Sequence, residues 1–298
     1  MSRLTDKELI DELKRRFDEQ NQSIKELKKL TGELKIVNKK LEESEALKSH
    51  FISNITNEII NPFTSIIGLS KNILSVSKED WKKVISMVAL IHSEAFNLDF
   101  QLRNIFVAAK IEAGEIYPEI MSVDLKALIK SVVESFRVEA QKKLVTIDHE
   151  FNCIPNKDDK FYFKTDPEKI KLILANLLSN AVKFSLPKNK VEIKAESAGE
   201  HVILMVRDYG TGITFENQKI IFDRFRRLDS GINSMNRGHG LGLSINKALL
   251  DLLEGTIEIE SKENEGTTFT IKVPNAVIGT KGFSADGNEF LFDEDEVF

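Results

Sequence analysis

Two amides and a lysine recur along residues 176–183 at the spacing of one helical face. Residues three and four apart are neighbours on a helix surface, so Asn176, Asn180 and Lys183 should point the same way. Amide oxygens suit a hard cation such as Mg²⁺, and a lysine ammonium suits phosphate oxygens. This segment therefore predicts a site for a ligand that carries phosphate groups and a magnesium ion.

Two glycine-rich segments follow and extend the same prediction. In residues 208–212 (DYGTG), after an apolar strand, the carboxylate can accept a hydrogen bond from a purine amino group, and the glycines let a ligand approach the backbone. Residues 238–242 (GHGLG) open a predicted helix, whose free N–H groups and dipole favour a phosphate chain. Each segment alone is a weak signal, but the three in this order indicate one nucleotide site.

With residues 222–227 (FDRFRR) between the last two, these segments resemble the N, G1, F and G2 boxes of sensor histidine kinases. Those boxes form the ATP-binding domain of that family, within the GHKL superfamily. Residues 265–269 (EGTTF) are similar to its last glycine box. Residues 51–63 (FISNITNEIINPF) are similar to the H-box of the dimerisation and phosphotransfer helices, and the whole resemblance covers about residues 47–275.

The resemblance implies a role in binding ATP and Mg²⁺ for each matching residue. Asn180 would bind Mg²⁺ with help from Asn176, and Asp208 would bind the adenine amino group. Lys183 and Arg227 would contact phosphates, and Phe184 would pack against the nucleotide. Residues 229–238 would form a mobile lid. The cofactor-binding residues that the resemblance implies are Asn176, Asn180, Lys183, Phe184, Asp208, Gly210, Gly212, Arg227, Gly238, Gly240, Gly242 and Thr267.

The chain departs from the family pattern at the phosphoacceptor position. Asn57 stands where the family has the histidine that accepts the γ-phosphoryl group, and Glu58 is the carboxylate that follows it. The lone pair of an amide nitrogen is delocalised into the carbonyl, so Asn57 should be inert as an acceptor. His50 lies one heptad earlier and is followed by Phe51 rather than an acid, which favours an ordinary exposed helix residue.

A second activity of the family does not need the missing imidazole. Glu58 and Asn61 keep a spacing that the family links to dephosphorylation of a partner receiver domain, and both should lie on one helical face. Asn61 would orient an attacking water by hydrogen bonding. The alternative is that Asn61 only stabilises a turn before Pro62, and the sequence leaves both interpretations open.

The favoured function is therefore that of a two-component signalling protein that binds ATP and Mg²⁺ but lacks the acceptor histidine. It would act on the receiver domain of a response regulator by binding or dephosphorylating it, alongside a separate sensor or partner kinase. One alternative is an ordinary ATP-dependent protein-histidine kinase core in which Asn57 is an engineered substitution for histidine. Others are a non-catalytic dimeric scaffold and an active kinase with an unorthodox acceptor.

Four segments must position these residues in a predicted α plus α/β fold. Residues 1–46 place apolar side chains on a heptad repeat, which predicts a dimeric coiled-coil stalk or, alternatively, an amphipathic helix packed on its own protein. Residues 47–117 predict a dimerisation hairpin, kinked at Pro62, that pairs into a four-helix bundle. Residues 122–275 alternate helix and strand and predict an α/β-sandwich ATP-binding domain, whereas residues 276–298 form an acidic, flexible tail.

Composition excludes several other classes. A net charge of −5 over 298 residues provides no basic surface for nucleic acid. One cysteine, Cys153, allows no intramolecular disulfide and no zinc site. No apolar run approaches the roughly 18 residues of a membrane span, and with the single cysteine this favours a cytoplasmic protein. The predicted coiled coil and four-helix bundle make a homodimer the expected assembly.

Overall fold

A computed structural model describes residues 6–77, 80–153, 161–223 and 240–276. The helices are α1 (Asp6–Leu74), α2 (Trp81–Ala113), α3 (Leu125–Ser135), α4 (Arg137–Lys142), α5 (Pro167–Phe184), α6 (Phe215–Gln218) and α7 (Gly242–Leu252). The strands are β1 (Met121–Asp124), β2 (Thr146–Asn152), β3 (Tyr162–Thr165), β4 (Lys190–Ala198), β5 (His201–Asp208), β6 (Thr256–Lys262) and β7 (Gly266–Pro274). Within these ranges, none of the helices has both the length and the apolar character required to cross a membrane.

Helix α1 is unbroken over 69 residues, with Pro62 inside it. The chain divides into two units, residues 1–64 and 65–298, and the boundary falls within this helix. Along the first unit, the apolar residues of the predicted heptad repeat lie exposed: Ile10, Phe17, Ile24, Leu27, Leu34 and Leu41. The structure thus shows the helix that a coiled coil requires, and the coiled coil itself stays a prediction.

Helix α2 supplies the second helix of the predicted hairpin. It ends at Gly114, whose φ of 69° lies in the left-handed region that favours glycine, and whose N–H donates to the carbonyl of Ile111. Asp80 precedes the helix, but its carboxylate makes no capping hydrogen bond and pairs with Lys83 at 2.7 Å instead.

Residues 121–276 form the predicted α/β sandwich. Its five-stranded sheet has the order β2-β4-β5-β7-β6, in which β2 and β4 are parallel and the other neighbours antiparallel. A separate antiparallel pair joins β1 to β3. Helices α5 and α7 pack against each other and on the sheet, while α3 packs on α5. The second layer is therefore helical and covers one face of the sheet.

The core lies between the two layers. Alternate residues of the central strands are buried, as the period of two along a strand requires when one face is covered. These are Val191, Ile193 and Ala195 of β4, Val202, Leu204 and Val206 of β5, and Phe269, Ile271 and Val273 of β7. From α5, Ile170, Ile173, Leu174, Leu177 and Leu178 fill the space against them.

Helices α3 and α4 are separated at Phe136. Phe136 leaves the helical conformation, with φ −97° and ψ 0°, and its ring is fully buried. The ring makes edge-to-face contacts with Phe96 and Phe100 of α2, at centroid distances of 5.6 and 5.9 Å. The break between α3 and α4 thus coincides with packing against residues that are distant in sequence.

Polar contacts beside Phe136 also hold α2 against the sandwich. The Lys142 ammonium donates to the Ser93 hydroxyl at 2.6 Å. Burial raises the pKa of the Glu139 carboxyl, and a hydrogen bond from Asn97 of α2 partly offsets that rise. Helix α2 is thus joined to α4 by both apolar and polar contacts.

Cys153 follows β2 directly and is buried. Burial, with a smaller contribution from nearby Glu196, raises the pKa of its thiol to about 11. A thiol with that pKa is almost entirely protonated at neutral pH, and only the thiolate is a good nucleophile. Cys153 is therefore a core residue without reactive character.

Candidate nucleotide site

A cavity of about 630 Å³ opens at the carboxyl end of α5. Pockets of this size hold ligands as large as a nucleotide. Of the sequence-predicted residues, the cavity is lined by Asn176, Asn180, Lys183, Phe184, Asp208, Gly212, Gly240, Gly242 and Thr267. One end of the sandwich thus brings together residues from three of the segments that the sequence analysis selected and from the last glycine box.

The remaining predicted residues lie elsewhere or outside the described part of the chain. Gly210 is buried next to the cavity, and Asn61 is exposed on α1 in the other unit. Arg227 and Gly238 lie outside the described residues, as does the predicted lid. The side chains of Asn57 and Glu58 also lie outside the described part, although their backbone belongs to α1.

Asp208 ends β5 and carries a buried carboxylate at the cavity wall. The carboxylate accepts a 2.9 Å hydrogen bond from the Gly210 N–H and another from the Thr267 N–H. Burial raises the pKa of this carboxyl to about 6, and the two backbone donors lower it only in part. An ionised carboxylate at this position is a strong acceptor for an amino group in the cavity.

Thr267 lies directly opposite Asp208 in the pairing of β5 with β7. Its hydroxyl is 2.9 Å from the Ser261 hydroxyl, which in turn accepts from the Ile213 N–H at 2.8 Å. This chain of hydrogen bonds ties the loop after Asp208 to the sheet. The wall around the carboxylate is therefore preorganised rather than assembled by the ligand.

Close packing of the protein's own backbone requires the two glycines after Asp208. A Cβ at Gly210 would lie 2.0 Å from the carbonyl oxygen of Phe184, and one at Gly212 would lie 2.0 Å from that of Lys262. Gly212 also has a φ of 64°, which disfavours other residues. The protein's own backbone approaches closely at both positions.

Helix α5 presents its polar face to the cavity. Asn176 is buried, and its Nδ2 donates to Asn246 Oδ1 of α7 at 2.9 Å. Asn246 in turn donates to the carbonyl of Ile173 at 3.1 Å, so this amide pair joins α5 to the start of α7. These hydrogen bonds fix the Asn176 amide, and Asn180, one turn later and half-buried, is the more exposed of the two amides at the cavity.

The end of α5 places a cation beside an aromatic ring. The Lys183 ammonium lies 5.0 Å from the centre of the Phe184 ring. Lys143, from the turn before β2, donates to the carbonyl of Lys183 and also lines the cavity. Burial lowers the pKa of the Lys143 ammonium. A cation at this position also complements the negative end of the α5 dipole.

Sequence reasoning missed several residues of the site. Lys143, Asn246 and Ser261 lie outside the recognised segments, as do Phe100, Gln101 and Asn104 of α2. Only Asn246 gave a local signal, because a polar residue interrupts an apolar helical face there. The others come to the site through contacts between elements that are distant in sequence.

The residues present fit a magnesium-bound nucleotide. A carboxylate, two amides, lysines and a helix start line one cavity. Within residues 6–77, 80–153, 161–223 and 240–276, no group of three or more His, Cys, Asp or Glu could hold a metal ion by itself. Mg²⁺ at this site would therefore depend on phosphate oxygens together with the Asn180 amide.

Nucleotide affinity is expected to fall in acid because protonation removes the Asp208 acceptor. With a pKa of about 6, the carboxyl is ionised at pH 7.5 and about nine-tenths protonated at pH 5. We expect roughly tenfold weaker binding of Mg²⁺-ADP at pH 5 than at pH 7.5, measured by calorimetry. The Asp208→Asn variant should lack this pH dependence, and an unchanged dependence in that variant would assign the titration to another group.

One family model matches part of the chain. Residues 165–277 match the model of histidine kinase-, DNA gyrase B- and HSP90-like ATPases. The matched range contains α5, β5, α7 and β7, and thus most of the predicted residues that line the cavity.

Curated relatives match a longer part of the chain. It is 30% identical over 236 residues to the circadian input-output histidine kinase CikA of Synechococcus elongatus, covering 78% of this chain and 31% of that protein. It is 32% identical over 234 residues to the sensor protein DivL of Caulobacter vibrioides, covering 78% of this chain and 29% of that protein. The chain thus spans less than a third of the length of these relatives.

A solved structure shares the fold. Full-length ShkA in complex with AMPPNP superposes with a TM-score of 0.53 at 22% sequence identity, covering 78% of this chain and 46% of that one. At this identity the likeness concerns the fold alone.

Proposed function

We propose, on the premise that residues 165–277 form an ATPase domain of the histidine-kinase type, that this chain is a two-component signalling core without a phosphoacceptor. It binds ATP with Mg²⁺, does not phosphorylate itself at Asn57, and acts on the receiver domain of a response regulator. The observation that carries the proposal is a cavity lined by nine of the twelve predicted nucleotide-binding residues, together with an asparagine at the acceptor position.

In this proposal the cavity holds the nucleotide by its two ends. Asp208 accepts from the adenine amino group, with Thr267 beside it. Lys183 contacts phosphate oxygens, and Asn180 supplies an oxygen to Mg²⁺. Arg227, Gly238 and the segment 229–238 would complete the phosphate end, as the family resemblance implies.

Asn57 blocks phosphoryl transfer to this chain for a chemical reason. A phosphoacceptor needs an available lone pair, and an amide nitrogen has none because it is conjugated with the carbonyl. Glu58 then has no imidazole proton to hold. The nucleotide therefore acts as a bound ligand that sets the conformation of the protein, rather than as a phosphoryl donor to it.

Exposed apolar residues support the proposed homodimer. Ile24, Leu27 and Leu34 of the stalk, residues 1–46, are each about half exposed or more on a single helix. Burying such a heptad stripe against a second copy of the helix is the ordinary source of coiled-coil stability. In the second unit, Ile85 and Val88 of α2 are likewise exposed and available to a four-helix bundle.

Dephosphorylation of a receiver domain is the activity that the remaining residues favour. Asn61 is exposed on α1, and α1 continues through Pro62, so there is no turn at this point for Asn61 to stabilise. Its amide would orient a water whose oxygen attacks the phosphorus of the receiver's aspartyl phosphate. The bond from phosphorus to the aspartate oxygen breaks, releasing inorganic phosphate and a free carboxylate, and the water's proton passes to solvent.

The test is the rate of phosphate loss from receiver domains phosphorylated with acetyl phosphate. We expect the chain with Mg²⁺-ATP to accelerate this loss about tenfold or more for its cognate receiver, and Asn61→Ala to remove most of that acceleration. The matched control is Asn72→Ala, the same substitution at an exposed residue about three turns further along α1, which should keep full activity.

Two other outcomes of this test identify the alternatives. Nucleotide-dependent binding of the receiver without faster phosphate loss would favour the non-catalytic scaffold. Acid-labile label on the chain itself after incubation with radiolabelled ATP, lost when His50 is changed, would indicate a kinase with an unorthodox acceptor and contradict the proposal.

A further inference from the structure

Helix α2 forms part of the wall of the nucleotide cavity. Phe100, Gln101 and Asn104 line the cavity together with Asn180 and Lys183 of α5. The resemblance implies no nucleotide-binding role for this helix, whose expected role is dimerisation. A ligand in the cavity would therefore lie between the sandwich and α2.

Asn104 contains a buried acceptor without a hydrogen-bond partner. The side chain is 5% exposed, and its Nδ2 donates to the carbonyl of Phe100 at 3.0 Å, whereas its Oδ1 has no partner. Buried polar atoms in folded proteins are nearly always paired, because an unpaired one loses its hydrogen bonds to water without replacement. The Asn104 Oδ1 atom can therefore accept a hydrogen bond from a donor on a bound ligand.

The unpaired atoms concentrate at this cavity. Among the described residues, three buried side-chain polar atoms lack partners: Asn104 Oδ1, Ser185 Oγ and Thr165 Oγ1. Two of the three belong to residues that line the cavity, Asn104 from α2 and Ser185 from the residue after α5. Unsatisfied groups from two separate elements at one cavity are typical of a site built for a polar ligand.

The position of Asn104 is fixed by contacts on both sides along α2. Four and eight residues before it, Phe100 and Phe96 pack on Phe136. Beyond it, Ala108 and Ile111 lie next to α7. The amide therefore comes to the cavity through packing that already exists.

We propose that Asn104 is a nucleotide-binding residue, and that the nucleotide fastens α2 to the ATP-binding domain. Its Oδ1 accepts a hydrogen bond from a donor of the bound nucleotide, either a ribose hydroxyl or a water on its magnesium ion. This inference rests on the proposed binding of ATP. Because coupling is reciprocal, nucleotide binding strengthens the packing of α2 by the same factor as that packing strengthens nucleotide binding.

The experiment is calorimetric titration of the full chain with Mg²⁺-AMPPNP. Asn104→Leu keeps the size of the side chain, removes the acceptor and leaves no polar atom unpaired, so it should fold as well as the wild type. We expect its affinity to fall about 3- to 10-fold, the loss typical of one hydrogen bond.

Asn97→Leu is the matched control, because it makes the same change on the same helix at a residue that contacts Glu139 and does not line the cavity. Because Asn97 helps to hold α2 on the sandwich, a loss of affinity in this variant reports the coupling through α2 packing alone, and we expect it to be smaller than the loss in Asn104→Leu. Equal loss in both variants would overturn the direct contact, as would wild-type affinity in Asn104→Leu. Absence of binding to the wild type would instead overturn the proposed function.

Hydrogen exchange of the wild-type chain tests the same proposal without a substitution. Saturating Mg²⁺-AMPPNP should slow exchange of the backbone amides in residues 100–108 of α2 as well as in α5. Slower exchange in α5 with no change in α2 would overturn the proposal while leaving the nucleotide site intact.

Discussion

Replacing Asp208 by asparagine should weaken Mg²⁺-AMPPNP binding about 100-fold while leaving the fold in place. The carboxylate is buried, accepts two backbone N–H groups and offers a charged acceptor to an adenine amino group in the cavity. An amide of the same shape turns one of its acceptor positions into a donor. The loss of a charge-assisted hydrogen bond costs about 1.5–3 kcal/mol, and a donor facing a donor adds to that cost. Calorimetry measures the affinity directly.

Thermal unfolding separates the loss of binding from a loss of folding. Because burial raises the carboxyl pKa from 3.8 to about 6, ionised Asp208 lowers the free energy of unfolding at pH 7 by up to about 3 kcal/mol. The neutral amide removes this cost but leaves one backbone donor without its acceptor, so the melting temperature should change little. Asp148→Asn, the same substitution at an exposed residue of β2, should alter neither quantity. Undiminished affinity in Asp208→Asn would remove the adenine end of the proposed site.

Replacing Asn57 by histidine should give the chain the phosphoacceptor that it lacks. The imidazole nitrogen would be available for phosphoryl transfer, and Glu58 would follow it as in the family pattern. With radiolabelled ATP and Mg²⁺, we expect acid-labile label on Asn57→His at least about tenfold above that on the present chain. This outcome holds whether Asn57 is natural or an engineered substitution.

Two further variants show whether the label depends on the proposed parts. Asn57→Ala should remain unlabelled, because it has no nucleophile. The double variant with Asn57→His and Asp208→Asn should lose most of the label, because the nucleotide would no longer bind well. Label on the present chain equal to that on Asn57→His would show that Asn57 does not block phosphorylation.

The face of α5 toward the cavity was predictable from sequence because its spacing is local. Asn176, Asn180 and Lys183 follow the helical period, and all three line the cavity. The α/β sandwich was predictable for the same reason, since alternation along β4, β5 and β7 marks strands with one covered face.

Features that depend on distant contacts were not predictable. The break at Phe136 exists because Phe96 and Phe100 of another helix hold its ring. Strands β1 and β3 have four residues each, which is too short for a periodic pattern, and they pair with one another although α3, α4 and β2 lie between them in the chain. Asn104 resembles any polar residue of an amphipathic helix until α2 is placed against the cavity.

The burial of Cys153 makes the chain convenient for fluorescence work. Its thiol is shielded and protonated, and the chain has no other, so a cysteine introduced at exposed Lys25 of α1 would be the one position that a maleimide dye modifies. Batches labelled separately with donor and acceptor dyes, then mixed, would develop energy transfer at the rate at which stalks exchange partners. The lifetime of the proposed dimer then becomes a measured number, with no native residue removed to obtain it.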